Sequence, residues 1–476
     1  MFLNRIFALA LGLLIAFLLI CGGGFFGRST TLLISSIFGL IILVSAFLRL
    51  RHGLPNKASY LAFLIIGLGL GLMVLQLIPL PPSVWTNMAG RDFIAQDFAL
   101  LGLQANWSPL SLSPSMTRQD IISLIPALAA FFAIVSISPR DWSLVGWTIV
   151  GIAVVSALVG LAQKFFGQNS VFNFYGYSDP LNASGFFANR NFLAAQLYTA
   201  LPILVVLTLE GRKKTTTLRR ILPVFALLIA VILIAGLGAT GSRMGAILLV
   251  VTLLLTFFLI YSGPRASTSG KAGVSVLGMV GLVIGSIVVA QFLLAALLRF
   301  SESDIASDYR GTIFDISMIT LKSFFPIGSG FGSFVPAYML FEKPSIMIEA
   351  YVNHTHNDWL ELLIEGGLPM ALVLLAFIGW FAVMVFSAWR RPTNSLYSKA
   401  VSISIGMLLL HSFVDYPLRT PALMAMFGLF CGMLAVNRAD ELVKTSRTPK
   451  KQISPTNELP AGFRPSSRGF SNRKET

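Results

Sequence analysis

Two histidines separated by one residue give the clearest sign of chemistry in this sequence. His354 and His356 lie in the polar segment 353–358, and apolar residues at helical spacing follow it. An imidazole near the amino-terminal end of a helix can act as a general base, and the carboxylate of Glu361 could orient it. Two alternatives stay open: the pair could ligate a metal, although no third ligand is evident, or the segment could simply cap the helix.

Three arginines are candidates for binding an anion. Arg243 joins two long apolar runs within the short segment 240–245, so it must lie at a membrane boundary, where it could also merely reach lipid headgroups. Arg310 begins a run with the pattern of an amphipathic helix, and Arg190 precedes Asn191, which is well placed as a helix N-cap. Arginine stays charged and donates bidentate hydrogen bonds, so these side chains suit a phosphate or diphosphate.

The remaining polar motifs favour structural roles. The Gly-x-Gly-x-Gly segment at 328–332 follows no apolar strand, so it predicts a turn rather than a nucleotide-binding loop. Asp415 and Arg419 lie four residues apart at a helix junction and are expected to pair with each other. Cys21 and Cys431 lie inside apolar runs and indicate neither a disulfide framework nor a zinc site.

The composition excludes a water-soluble enzyme. Of the 476 residues, 55% are hydrophobic and only 12% are charged, with a mean hydropathy of +0.79, whereas soluble domains contain about a quarter charged residues. The net charge of +15 does not indicate a nucleic-acid partner, because the basic residues lie between apolar runs. The sequence predicts an all-α, polytopic integral membrane protein with about twelve spans. These are 6–22, 30–48, 59–80, 119–138, 143–163, 191–209, 221–238, 244–262, 273–298, 366–388, 400–416 and 420–437.

Basic residues set the expected orientation. With the amino terminus in the cytoplasm, Lys and Arg concentrate in the cytoplasmic connections, which predicts that both termini are cytoplasmic. Residues 1–437 then form a transmembrane domain, and 438–476 form a basic, disordered cytoplasmic tail that can contact membrane lipids. The candidate polar residues all fall on the opposite face. The extracytoplasmic segments on that face are 81–118, 164–190 and the large loop 299–365.

Five ordered motifs together resemble the O-antigen ligase and O-antigen polymerase family of bacterial envelope proteins. The resemblance covers about residues 185–425, and the His-Asn motif that begins at His356 is its most specific part. Met370 stands where the family often has a further glycine, at a position inside a helix. The motifs are Gly185–Asn191, Gly241–Gly245, Pro326–Ser333, His356–Gly367 and Val414–Arg419.

The resemblance implies a GT-C-like membrane glycosyltransferase in the bacterial inner membrane with its active site on the periplasmic face. Such proteins transfer a glycan from undecaprenyl diphosphate to an acceptor hydroxyl, without a metal or other cofactor. His356 matches the position of the catalytic base, with His354 as the second choice, and Arg243 would act with it on the diphosphate. The residues expected to bind substrate are Arg310, Arg190, Asn191, His354, Asn357 and Glu361.

Ligase activity, with lipid A–core as acceptor, is the first expectation. The alternative is a polymerase that joins O-antigen or exopolysaccharide repeat units, with a second lipid-linked glycan as acceptor. A transporter or flippase without chemistry is less favoured, since such proteins carry ionisable groups near the middle of their spans. In this chain the spans are almost free of charge, and the polar residues lie on one face.

Overall fold

The computed structural model describes residues 2–23, 28–51, 53–167, 170–175, 182–212, 215–261, 305–346, 352–390 and 395–436. Within these residues the chain is almost entirely helical. The helices are α1 Phe2–Cys21, α2 Arg28–Arg49, α3 Lys57–Leu75, α4 Pro82–Trp85, α5 Asp92–Leu100, α6 Pro114–Ser123, α7 Ile125–Ser136, α8 Trp142–Phe166, α9 Arg190–Gly211, α10 Thr216–Ala239, α11 Arg243–Tyr261, α12 Ile305–Phe324, α13 Phe334–Met339, α14 Asp358–Arg390, α15 Leu396–His411 and α16 Pro421–Ala435. Two 3₁₀ turns, Pro344–Ile346 and Pro417–Arg419, complete them.

The predicted all-α membrane class is confirmed. Nine segments of the described chain are long and apolar enough to cross a membrane, with α6 and α7 counted as one, and α15 and α16 are shorter apolar helices. Every predicted span has a helix at its position except the one at 273–298, which lies outside the described residues. The described strands are β1 Pro79–Leu80 and β2 Ser108–Pro109, which form one antiparallel pair.

Helix α9 lies at the centre of the bundle. It packs against α8, α10, α11 and α15, and 89% of its most apolar window is buried. A helix that is apolar on all its faces is expected to be buried in this way. Its first residues therefore have a fixed position at one end of the bundle, which matters for the site below. On another side of the bundle, α7 packs against both α2 and α16.

Helix α14 is broken at Gly367, whose φ is +59°. The glycine-rich segment packs into this break. The amide of Ser329 donates a hydrogen bond to the carbonyl of Ile364 at 2.9 Å, and the amide of Gly330 donates to that of Glu365 at 2.9 Å. The segment is therefore a turn, as its sequence predicts. The break at Gly367 separates the first two turns of α14 from the long transmembrane part of the helix.

Candidate active site

The histidine segment forms a tight loop at the start of α14. The side-chain oxygen of Asn357 accepts a hydrogen bond from the amide of Leu360 at 3.0 Å and so caps the helix. The hydroxyl of Thr355 donates to the carbonyl of Asn357 at 2.6 Å. Among the described residues, His356 alone combines a side chain with a positive φ, of +54°. The loop thus holds the backbone of His356 in a conformation that costs energy for an L-residue.

His356 is paired with a buried carboxylate. Its Nδ1 lies 3.2 Å from Oδ1 of Asp415, and the other oxygen of Asp415 accepts a hydrogen bond from the side chain of Asn191 at 2.5 Å. The side chain of Asp415 is 1% exposed, whereas that of His356 is 24% exposed. Asp415 therefore holds the inner edge of the imidazole while the ring remains accessible.

The charge of Asp415 follows from its neighbours. Burial acts to raise its pKa, but the hydrogen bond and positive charge of His356, with smaller contributions from His411 and Arg310, lower the pKa to about 2. Asp415 is therefore a carboxylate at neutral pH. An ionised carboxylate at Nδ1 keeps the proton of a neutral imidazole on that nitrogen, which leaves the lone pair on Nε2. The arrangement suits a general base.

The expected pairing of Asp415 with Arg419 is wrong. Arg419 instead pairs with three carboxylates on the first two turns of α14. We call these four side chains the carboxylate cluster. The guanidinium nitrogens of Arg419 lie 3.0 Å from Glu365, 3.5 Å from Glu361 and 3.7 Å from Asp358. Burial acts to lower the pKa of Arg419, but the carboxylates raise it above its usual value. This arginine therefore stays charged inside the protein.

The two histidines have different carboxylate partners. Nδ1 of His354 lies 2.8 Å from Oε1 of Glu361, whose other oxygen accepts a hydrogen bond from the amide of Thr355 at 2.9 Å. His354 is therefore attached to the carboxylate cluster. The ring of Tyr416 lies beside both imidazoles, with centroid distances of 4.3 Å to His354 and 5.0 Å to His356.

The predicted N-cap at Asn191 is also wrong. Helix α9 begins at Arg190, and Asn189 is its cap: the side chain of Asn189 accepts a hydrogen bond from the amide of Asn191 at 2.8 Å. Asn189 has extended backbone angles, as a cap residue requires, whereas Asn191 is already helical. The side chain of Asn191 is thereby released to bind Asp415.

A cavity of about 1060 Å³ brings most of the candidate residues together. Its ionic end is formed by the carboxylate cluster and by predicted site residues from α9, α12 and the loop before α14. Of the predicted site residues described here, Arg243, His356 and Asn357 do not line it, and Arg243 lies half-buried at the start of α11. The candidates that line it are Arg190, Asn191, Arg310, His354 and Glu361.

A large apolar surface makes up another part of the cavity wall. It is formed by side chains of α3, α7, α14 and α16, among them Met73, Phe131, Trp380 and Phe427. These helices are candidate spans or shorter apolar helices, so this part of the cavity lies among the membrane-crossing segments. The cavity therefore joins a charged end to an apolar end, and it suits a ligand that has both characters.

Sequence reasoning missed the carboxylate cluster and the role of Asp415. One signal was available for the cluster: Asp358, Glu361 and Glu365 are spaced so that they share one face of a helix. Three carboxylates on one face of a membrane helix need a cation. Arg419 is that cation, and it comes from a distant connection.

The metal alternative for the histidine pair finds no support in the described part of the chain. No group of three or more His, Cys, Asp or Glu side chains there is arranged to hold a metal ion. The Nδ1 atoms of His354 and His356 face different carboxylates rather than a common point.

Comparison with known proteins agrees with the motifs. Residues 228–375 match a family model described as O-antigen ligase. The matched segment contains Arg243, Arg310, His354 and His356, and it extends into the transmembrane part of α14. No curated protein matches the chain.

Proposed function

We propose that this chain, whose residues 228–375 match the O-antigen ligase family model, transfers a glycan from undecaprenyl diphosphate to an acceptor hydroxyl. One observation carries the proposal: a single cavity joins an ionic end to apolar walls formed by membrane helices. A polyprenyl diphosphate has the same two parts. Its charged group would occupy the ionic end, and its hydrocarbon chain would lie against the apolar walls.

Cations of the cavity favour binding of the diphosphate. Arg190 begins α9 and Arg310 lies on α12, and both line the ionic end. Transfer leaves negative charge on the departing diphosphate, and arginine stabilises such charge through bidentate hydrogen bonds. Arg243 occupies the family motif at the start of α11 and is the further cation that we assign to this role.

The His356–Asp415 pair would act on the acceptor. Nε2 of His356 accepts the proton of the acceptor hydroxyl, and that oxygen forms the new bond to the anomeric carbon of the donor glycan. The bond between this carbon and the diphosphate oxygen breaks, and its electron pair leaves with the diphosphate. Asp415 stabilises the imidazolium that forms, since the two side chains are 3.2 Å apart.

The acceptor distinguishes two versions of this function. We place first a ligase, in which the acceptor is a sugar hydroxyl of lipid A–core. The alternative is a polymerase of O-antigen or exopolysaccharide repeat units, in which the acceptor is another lipid-linked glycan. Both versions need the same base and the same leaving-group cations. A transporter without chemistry would not require an accessible His356 held against the buried carboxylate of Asp415.

The reaction would take place on the periplasmic face of the bacterial inner membrane. Support comes from the basic residues on the opposite side, among them Arg212 just after α9 and Arg219 and Arg220 at the start of α10. A cysteine at the exposed position Lys322 should react with a membrane-impermeant thiol reagent in cells whose outer membrane is permeable, in a background with Cys21 and Cys431 replaced. A cysteine at Thr216 should not react. Labelling of Thr216 alone would reverse the orientation.

Transfer by the purified protein tests the proposal directly. The protein is incubated with a glycan on undecaprenyl diphosphate and with lipid A–core or a second lipid-linked glycan, and product and released diphosphate are measured. Arg310→Ala should lose at least about 10²-fold in rate. Arg118→Ala is the matched control, because Arg118 is exposed and does not line the cavity.

Arg243 gives a second test. Arg243→Lys keeps the charge but loses the planar fork, so we expect a strong loss of transfer at normal membrane levels. Normal rates in the Arg243 and Arg310 variants together would contradict diphosphate binding by these cations. Absence of product with either acceptor in the wild-type protein would contradict the proposed reaction itself.

A further inference from the structure

An apolar tip extends from the extracytoplasmic segment that contains α5. It consists of Leu100, Leu101, Leu103 and Trp107, whose exposed fractions are 85%, 71%, 57% and 67%. None of the side chains of α5, all of which are described, is buried. Large apolar side chains exposed together in this way mark a surface that contacts something other than water.

The base of the tip is rigid. Trp85 is 3% exposed, and its indole nitrogen donates a hydrogen bond to the carbonyl of Asn106 at 2.9 Å. Arg91 is also 3% exposed; it donates to the carbonyl of Leu110 at 2.5 Å and lies 5.2 Å from the ring centre of Phe324. The two hydrogen bonds hold the segment together and the contact with Phe324 joins it to α12, so the exposure of the tip is a property of the fold.

Charged residues are missing from the sequence around the tip. From Phe98 to Thr117 the sequence contains no Asp, Glu, Lys or Arg, whereas Asp92 and Asp97 lie on the exposed surface of α5 just before it. The tip can therefore leave water without burying an ion, which would be costly. Its composition favours lipid over an aqueous or charged partner.

The path of the chain keeps the tip close to the membrane. Span α3 ends at Leu75, and Leu80 pairs with Ser108, the residue that follows Trp107. Five residues reach at most roughly 18 Å when fully extended, and a turn closed by the bond from the amide of Leu77 to the carbonyl of Val74 shortens this path. The short path allows Trp107 to lie at the depth at which tryptophan is enriched at membrane surfaces.

The lipid-facing surface of α3 continues toward the tip. Leu75 is 59% exposed at the end of the span, and Ile78 and Val84 are 48% and 43% exposed in the connection that follows. We propose that the apolar tip inserts into the outer leaflet of the bilayer and anchors this extracytoplasmic segment to the phospholipid surface. The occupant is lipid, because the tip prolongs a surface that already faces lipid and carries no charge.

The anchor has a consequence for the cavity. Shortly after the tip, Ser113 and Met116 line the cavity wall, and the amide of Leu112 donates a hydrogen bond to the carbonyl of Ser329 at 2.9 Å. The tip would therefore hold one wall of the cavity at the membrane surface, where a lipid-linked substrate arrives. This inference concerns membrane contact and stands apart from the proposed reaction.

Spin labelling tests the anchor. In a background with Cys21→Ala and Cys431→Ala, a nitroxide is attached at Leu101→Cys in liposomes of phosphatidylethanolamine and phosphatidylglycerol. Collision rates are measured with oxygen, which concentrates in lipid, and with a water-soluble nickel complex. We expect the ratio of oxygen to nickel accessibility to be several-fold higher at Leu101 than at the matched position Asp97→Cys. A second label at Leu103→Cys should agree with Leu101.

Two outcomes would overturn the anchor. Equal ratios at Leu101, Leu103 and Asp97 would place the tip in water. Low accessibility to both reagents, together with dipolar broadening between labels, would show that a second copy of the chain covers the tip. Neither measurement uses glycan transfer, so failure of the anchor and failure of the proposed reaction are distinguishable.

Discussion

The surroundings of His354 and His356 differ although the two residues are separated by a single threonine. Each imidazole has its Nδ1 against a buried carboxylate, at 2.8 Å for His354 and 3.2 Å for His356. The carboxylate of Glu361 is shared with Arg419 and with a backbone amide. The carboxylate of Asp415 accepts from Asn191 and faces no arginine at ion-pair distance among the described contacts.

This difference favours different roles for the two histidines. Glu361 already has Arg419 at 3.5 Å, so His354 belongs to the carboxylate cluster at the start of α14. Asp415 is ionised and has no arginine at ion-pair distance among the described contacts, so it could stabilise a positive charge on His356. The same carboxylate connects the base to Asn191 on α9, next to Arg190.

Removal of the base should have the largest effect. His356→Ala is expected to lower the rate of transfer by roughly 10²–10⁴-fold, because a positioned base contributes about that much. His354→Ala should lower the rate of transfer less, since the imidazole of His354 contacts the carboxylate cluster rather than Asp415. Transfer rates and donor binding in detergent are measured for both variants. An active His356 variant beside an inactive His354 variant would reverse the assignment, and two active variants would leave the loop with only a capping role.

Replacement of Arg419 should destabilise the carboxylate cluster. Arg419→Ala leaves Asp358, Glu361 and Glu365 buried without their common partner, and breaking a buried ion pair from one side costs about 3–5 kcal/mol. We expect the free energy of unfolding in detergent to fall by that amount. Arg118→Ala, at an exposed position, should change it by less than about 0.5 kcal/mol. A stable Arg419 variant would show that protons rather than this arginine neutralise the cluster.

A smaller effect is expected at Asp415, and it depends on pH. Its pKa of about 2 in the folded protein lies below the usual value near 3.9, so its charge stabilises the fold by about 2–3 kcal/mol at neutral pH. This contribution is complete above about pH 5, declines as pH falls toward the folded value, and is about half lost by pH 3.

The Asn variant at this position provides the comparison. Asp415→Asn removes the charge, so the wild-type protein should be more stable than the variant at pH 7, with a difference that shrinks on acidification. The free energy of unfolding is measured for both proteins in detergent between pH 7 and pH 3. A difference that does not change with pH would mean that the charge of Asp415 makes no contribution.

The smallest effect should come from the helix cap. Asn357→Ala removes the acceptor for the amide of Leu360 and should lower stability by about 1 kcal/mol. Asn357→Asp keeps the cap and should remain near wild type in stability. If Asn357 also binds substrate, both variants will lose affinity for the donor whatever their stability. Thermal unfolding and donor binding separate the two roles.

Hydropathy alone predicted most of the fold, because each span must satisfy its backbone within a helix of nearly fixed length. The histidine motif was also recognisable, since polar residues before an apolar period mark the start of a helix. The pairing of Asp415 and Arg419 failed because residues four apart meet only on a continuous helix. Here α15 ends at His411, and Arg419 belongs to a separate 3₁₀ turn.

Contacts between distant segments decided the remaining details. Asn189 and Asn191 are equally good caps by residue type, and the structure places the first helical residue between them, with Asn191 bound to Asp415. Nothing local to Asn191 could have predicted a partner 224 residues away. The lining of the cavity, which includes Arg310 but not Arg243 among the described residues, likewise depends on how the helices pack.

The position of Arg419 in the chain has a consequence for biosynthesis. The carboxylates of α14 leave the ribosome 54 to 61 residues before the arginine that pairs with them. At synthesis rates of roughly 5–20 residues per second, that interval lasts about 3–12 s. During it, the nascent α14 carries three acids without their counter-ion. The site therefore matures only after the connection between α15 and α16 has been made, and a chain released earlier has the cavity cations of α9 and α12 but neither Asp415 nor Arg419.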